Sequence, residues 1–345
     1  MTSLFSALTP GLLLLLFGLA ALLIAGFGSM MTRLADRLAD ATGLGEALMG
    51  AVFLGGSTSI PGIVTSVTAA SEGHPELAVS NAIGGIAVQT AFLAVADLVY
   101  RKANLEHAAA SIANMMQGAL LISLLAVCII GRAAPQATLL AVHPASYLLV
   151  AGYLLGVRQV SLARTDPMWR PTRTRETKID EARTELLTTS RMLRIWLGFA
   201  ALALIVGGAG FVVAKSGIAL SAQLGISETL VGGLFTAVAT SLPELVTSVA
   251  SVRQGALTLA VGGIIGGNCF DVLFVAFSDL AYREGSIYEA LSPDQTSLIA
   301  VTILMTGILM LGLIRREKHG IGNIGFESFL IILLYGSMFV FLGLT

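Results

Sequence analysis

A chain of 345 residues that is 55% hydrophobic and only 12% charged lies far below the roughly 25% charge of a soluble domain, which excludes water as its main solvent. Its formal net charge of −1 points to no nucleic-acid or acidic partner, because a membrane chain places its charges by side rather than by sum. Its two cysteines, Cys128 and Cys269, both fall in apolar stretches, so no disulfide framework is expected and each reads as a small buried side chain.

In chain order, apolar stretches long enough to cross a hydrocarbon core of about 30 Å fall at residues 7–30, 46–70, 75–99, 109–131, 138–157, 192–214, 226–251, 255–281, 295–314 and 324–344. The first lacks a basic segment ahead of it, since no Lys or Arg precedes Arg33; it is expected to be a retained span rather than a signal peptide. With the N-terminus outside, 17 of the 20 Lys and Arg fall on inner segments and only Arg132, Lys215 and Arg283 on outer ones. The positive-inside rule therefore predicts ten spans with both termini on the non-cytoplasmic side, in the cell membrane and bathed by its lipids. The one long polar connection begins at Arg158 and mixes basic residues with Asp166, Glu176, Asp180, Glu181 and Glu185. It reads as a solvated cytoplasmic linker.

Displacing the sequence on itself by 182 residues lays 58–101 over 240–283 without a gap, and 20 of the 44 positions are identical. The landmarks are Thr58-Ser59-x-Pro61 over Thr240-Ser241-x-Pro243, Val64–Val67 over Val246–Val249, Ile83–Gly85 over Ile265–Gly267, and a closing D-L-x-Y-R. Each half holds five spans, an odd number, so the second copy must enter the membrane inverted. The predicted fold is an all-α polytopic membrane protein of ten helices in two inverted five-helix repeats: 1–157, a linker over 158–191, and 192–345.

In inverted-repeat membrane folds the site lies where broken helices meet near the bilayer midplane. Pro61 and Pro243 are expected to break their spans and free the carbonyls of Ser57 and Ala239. Beside those breaks stand the hydroxyls of Thr58, Ser59, Thr240 and Ser241. Glu244 follows one turn later, and Asp271 follows G-G-N-C-F in the next span. An acid at a helix centre costs about 2.5–3.5 kcal/mol to insert, so Glu244 and Asp271 are expected to be ion or metal ligands. Asp97 and Asp279 each precede an arginine by four residues at a span end and are expected to pair with Arg101 and Arg283, outside the site. The glycine pairs Gly84–Gly85 and Gly266–Gly267 are expected to allow close helix approach.

The stretch TSLPELVTSV followed by AVGGIIGGNCFD resembles the α-repeat of the calcium/cation antiporter superfamily, which includes sodium/calcium and calcium/proton exchangers. The resemblance implies a central site for Ca2+ and the counter-transported ions, with Thr240, Ser241, Glu244, Asn268 and Asp271 as its ligands; Asn81 in A-V-S-N matches the family's A-V-G-N. The first copy departs from the pattern. The glutamate after the proline is Gly62, the asparagine of the G-S-N triplet is Ile86, and the polar residue three positions later is Gln89. The usual pair of facing glutamates is thereby reduced to Glu244.

The function expected is secondary active antiport of Ca2+ or another cation against Na+ or H+, by alternating access, with the ions as substrates and no cofactor. Two other readings stand beside it: a divergent member carrying another cation or small solute, and a non-transporting scaffold or sensor that kept the fold. An enzyme is not expected, since no nucleophile with a base, no His/Cys cluster and no phosphate loop appears.

Overall fold

The computed structural model describes residues 2–42, 55–100, 103–135, 137–165, 167–169, 171–172, 189–318, 320 and 324–343. Among these the chain is helical throughout, apart from an isolated bridge between Leu139 and Val142.

Helix α1 runs over Pro10–Leu23, passes through a π turn at Ile24–Gly28 and continues over Ser29–Thr42. Then follow α2 (Ile60–Ser71), α3 (Pro75–Val99), α4 (Ile112–Ala133), α5 (Pro144–Thr165) and the long α6 (Thr189–Leu224). The second half continues with α7 (Glu228–Thr240), α8 (Leu242–Gln254), α9 (Leu257–Asp271), α10 (Leu273–Ala281), α11 (Pro293–Arg315) and α12 (Phe326–Leu342). The starts are written in the sequence. Pro10, Pro75, Pro144 and Pro293 open their helices, where a missing N–H costs nothing. Ser111 caps α4 through the Asn114 amide, and Ser292 with Gln295 forms a capping box on α11. Gly73 and Gly255, which the 182-residue displacement superposes, turn the chain at φ +81° and +82° after α2 and α8.

Among the described residues, seven helices, α9 and α10 counting as one, are long and apolar enough to cross a membrane. An eighth candidate is the pair α7 and α8, bent by 47°, and α2 and α12 are shorter apolar helices. The chain is thus a multi-pass integral membrane protein, and each of the ten expected stretches overlaps one of these helices. The N-terminal part of the second stretch, 46–54, lies outside the described residues, as does most of the linker.

The centre is made by α3 and by α9 with α10. Their apolar windows are 83% and 72% buried inside the protein, against 22% for α1, which faces outward. Helix α3 carries small residues on every side (Ala78, Ser80, Ala82, Gly84, Gly85, Ala87), as a helix wrapped by other helices must. A Cβ on Gly84 would run into the Gly233 backbone of α7, so this glycine sets the closest helix approach. The halves interlock elsewhere too. A Cβ on Gly28 would lie 2.5 Å from the Pro243 ring, and one on Gly210 would lie 2.5 Å from the Pro61 carbonyl oxygen.

Asp279 does not form the expected pair with Arg283, and the expected Asp97–Arg101 pair falls partly outside the described residues. Asp279 is fully buried and accepts hydrogen bonds from the Ile287 amide (3.0 Å), the His143 amide (2.8 Å) and the Ser146 hydroxyl (2.8 Å), while Arg283 is exposed. Asp97 accepts from the Leu105 amide (2.7 Å), the Gly325 amide (3.1 Å) and the Ser328 hydroxyl (3.1 Å); Arg101 lies outside the described residues. Every donor in one set is 182 positions from its counterpart in the other. Each aspartate therefore caps the start of the last helix of the opposite half, α5 or α12, a role that the i,i+4 spacing to an arginine disguised.

At the corner between α2 and α3, His74 Nδ1 lies 2.6 Å from Glu228 Oε1 at the start of α7, and Glu72 pairs with the buried Lys215 of α6. The Glu228 hydrogen bond holds the His74 pKa above its ordinary 6.5; the Glu228 and Glu72 charges add to this, while burial and Lys215 oppose it. Because the native value is the higher one, the stability from this link is complete below the unfolded value and disappears as pH rises through the native value. His74→Gln should lower the thermal midpoint of the detergent-solubilised protein most at acid pH, with the gap closing toward alkaline pH. Asp279→Ala strands three buried donors and should cost roughly 2–5 kcal/mol of stability, whereas Arg283→Ala should stay within about 0.5 kcal/mol; thermal unfolding of the two variants distinguishes a cap from an ion pair.

Candidate ion-binding site

Both broken segments bend at a serine rather than at the proline. The turn falls at Ser59 and Ser241, each with a near-helical backbone (φ −86°, ψ −1° and φ −98°, ψ 6°), and Pro61 and Pro243 occupy the first turns of α2 and α8. The i→i−4 ladder continues into each break, with Ser59 N to Gly55 O at 3.2 Å and Ile63 N to Ser59 O at 2.9 Å. The proline thus starts the second segment instead of opening a gap in the first.

Around the two breaks lies a cavity of about 10 Å³, lined by Ser59, Gly62, Asn81, Gly85, Gln89, Thr240, Ser241, Glu244, Asp271 and Phe274. That is room for about one water-sized sphere. Of the residues expected from the sequence, six line it: Ser59, Asn81, Thr240, Ser241, Glu244 and Asp271. Thr58 stands one step back, its hydroxyl donating to Gly55 O at 3.1 Å and lying against the Glu244 carboxylate. Asn268 turns away, donating to the Thr90 hydroxyl (3.1 Å) and to Ile86 O (3.4 Å). Neither Ser57 nor Ala239 is among the lining residues; their expected place is taken by side chains.

Asp271 is held at both oxygens, by the Ser59 hydroxyl on Oδ1 at 2.5 Å and the Gln89 amide on Oδ2 at 2.7 Å. The same Gln89 amide donates to Ser241 Oγ at 3.2 Å. Gln89 is the 182-residue counterpart of Asp271, and Ser59 that of Ser241, so each break serine bonds the polar residue of the other half. Sequence reasoning noted Gln89 only as a departure from the family pattern; the displacement that pairs it with Asp271 was the signal for its place. Asn81 makes three hydrogen bonds, donating to the Ser66 hydroxyl (2.9 Å) and Gly62 O (3.3 Å) and accepting from Thr236 (2.7 Å). It braces the wall, and its Oδ1 keeps one lone pair beyond the Thr236 bond.

Three buried polar atoms around these residues have no protein partner, and all are oxygens: Glu244 Oε2, Gln89 Oε1 and Asn268 Oδ1. A buried acceptor without a donor is unstable unless a proton, a water or a cation supplies the missing positive end. Uncharged or cationic donors would answer equally well for a structural role, but no Lys or Arg lines the cavity. Two carboxylates, hydroxyls and amide oxygens are the hard ligands that alkali and alkaline-earth cations take.

A family model described as sodium/calcium exchanger protein matches residues 12–157 and 193–344. The chain belongs to this family. Sodium/calcium exchanger MaX1 of Methanosarcina acetivorans is 33% identical over 135 residues, which cover 39% of this chain and 38% of that one. Inner membrane protein YrbG of Escherichia coli is 36% identical over 111 residues, 32% of this chain and 34% of that one. The matched parts thus span less than two fifths of either relative. Among solved structures, the H+/Ca2+ exchanger CAX superposes with a TM-score of 0.68 at 14% identity, covering 99% of this chain and 86% of that one. The sodium-calcium exchanger NCX_Mj gives 0.61 at 18%, covering 96% and 99%. These two likenesses establish the fold.

Gln89→Leu would strip one donor from Asp271, one from Ser241 and one acceptor from the cavity. It should cost about 1–3 kcal/mol of stability and shrink the rise in thermal midpoint that saturating cation gives the native protein, measured in detergent with and without added Na+ or Ca2+.

Proposed function

We propose that the chain is a secondary active antiporter that exchanges Ca2+ or another inorganic cation against Na+ or H+ by alternating access, with Glu244 and Asp271 as the charged ligands. The observation that carries this reading is the set of orphaned oxygens around the cavity, above all Glu244 Oε2. A bound cation answers that deficit and neutralises two carboxylates buried inside the protein. Ser59, Thr240 and Ser241 complete the ligand set. Thr58, Asn81 and Asn268 position it.

The same reading takes the two halves as inverted five-helix repeats, with ten spans, the linker on the cytoplasmic side and both termini opposite it. Hydrogen bonds that recur at a 182-residue displacement support this arrangement: Ser59 to Asp271 with Gln89 to Ser241, and the two aspartate caps. Alternating access then consists of opening the cavity to one side or the other along the broken segments, whose bends at Ser59 and Ser241 are the natural pivots. Charge counting allows one divalent cation, two protons, or one Na+ with one proton to fill the site.

Reconstituted into liposomes with imposed gradients, the native protein should move Ca2+, Na+ or H+ in exchange for another of the three. Glu244→Gln removes the one acid with a free oxygen and should reduce that exchange at least about a hundredfold, the scale expected when a buried charged ligand worth roughly 3 kcal/mol is lost. Exchange that survives Glu244→Gln unchanged would place the transport site elsewhere.

A further inference from the structure

We propose that Phe274 is the specificity-determining residue of the cavity: its ring occupies the space into which any side chain at position 62 would project, and so keeps the site at two carboxylates. This rests on the reading of the cavity as the cation site.

The internal repeat makes Gly62 the counterpart of Glu244, so the first copy has a place for an acid facing the second copy's acid. The structure fills that place differently. A Cβ built on Gly62 would lie 2.6 Å from Phe274 Cε2 and 3.2 Å from Cζ, nearer than real Cβ atoms come to a ring. Moving the ring would disturb its own packing. Phe274 is only 4% exposed and packs edge-on against Phe270, with centroids 6.4 Å apart and planes at 78°. Phe270 in turn closes on the first-copy break, since Cβ atoms on Gly55 and Gly56 would each come within 3.2 Å of it. Two aromatic rings from α9 and α10 thus lie along a glycine-lined face running from Gly55 to Gly62. Phe274 is the ring of the two that lines the cavity.

The position does not demand an intruding ring in both halves. Phe92 is the counterpart of Phe274, yet beside Glu244 the chain tolerates a full carboxylate side chain, and Phe92 is not among the residues lining the cavity. The asymmetry lies in where the ring points. Ca2+ affinity rises with the number of carboxylates offered and with room for six to eight oxygens. With glycine at position 62 and the ring lying where its side chain would go, the site has two carboxylates and fewer oxygens within reach, which favours monovalent ions or protons over Ca2+.

The test is a cycle of full-length variants in detergent, read by thermal midpoint and by calorimetric titration with Ca2+ and with Na+. Gly62→Ala should lower the midpoint in the native background and far less in a Phe274→Ala background, because the steric contact is then gone. Gly62→Glu alone should gain little Ca2+ affinity and lose stability. Gly62→Glu with Phe274→Ala should bind Ca2+ about tenfold or more tightly than Phe274→Ala alone, the gain set by one added carboxylate. Equal midpoint losses for Gly62→Ala in both backgrounds, or a full Ca2+ gain from Gly62→Glu with Phe274 in place, would overturn the assignment. Glu244→Gln in the same titrations separates the two levels: if it leaves ion binding untouched, the cavity is not the ion site and the specificity assignment falls with it. If it abolishes binding while the double variant gains nothing, the cavity stands and Phe274 is not its determinant.

Discussion

A carboxylate inside a helical membrane core is tolerable only if the protein supplies what water would have supplied, and the chain Ser59–Asp271–Gln89–Ser241 is how this molecule does so. Both oxygens of Asp271 are engaged by neutral donors, at 2.5 and 2.7 Å, so the negative charge is held in place without a permanent counter-ion. A Lys or Arg at Gln89 would have settled the charge and closed the site to cations. An amide settles the geometry and leaves the charge available. Everything around the cavity follows from this restraint: the serines must sit at the bends, the bends must face each other, and α3 must pass between them with residues small enough to let them meet.

The two halves share a scaffold and differ in chemistry. Their corner glycines, break serines and aspartate caps superpose at 182 residues, whereas Glu244 faces Gly62 and Asp271 faces Gln89. Where the scaffold is concerned the copies stayed alike because each makes the same hydrogen bonds. Where the cavity is concerned only one copy retained acids. The site thus carries its two acids in one half and neutral residues in the other, on walls that pack alike.

Much of this was legible in the sequence because it is written in strong local signals. Apolar length marks the spans, proline and glycine mark the breaks and corners, and an acid in an apolar run marks the cavity. Glu244 and Asp271 announced themselves by their cost. What could not be read depended on contacts between residues far apart in the chain. Asp97 and Asp279 looked like partners of the arginines four residues on, since no local pattern shows that their donors lie up to 231 residues away. Pro61 and Pro243 looked like the points of breakage, although proline at the start of a helical segment is stabilising there and the serine before it takes the bend. Asn268 carried a motif signal, but not the contact its amide nitrogen makes with Thr90. Phe274 carried no signal at all, since a phenylalanine in an apolar span is ordinary until the glycine opposite it is seen.

The aspartate caps carry a consequence for how the protein is made. Asp97 emerges from the ribosome more than two hundred residues before Gly325 and Ser328, and α5 emerges long before Asp279 can receive its first amide. During synthesis the early half therefore holds Asp97 with one of its three donors, Leu105, and an uncapped α5, and it cannot reach its final form until α12 has been made. The halves behave as interlaced partners rather than as modules completed in turn. A chain lacking α12 would hold Asp97 without its Gly325 and Ser328 donors, so the first half is completed by an element of the second.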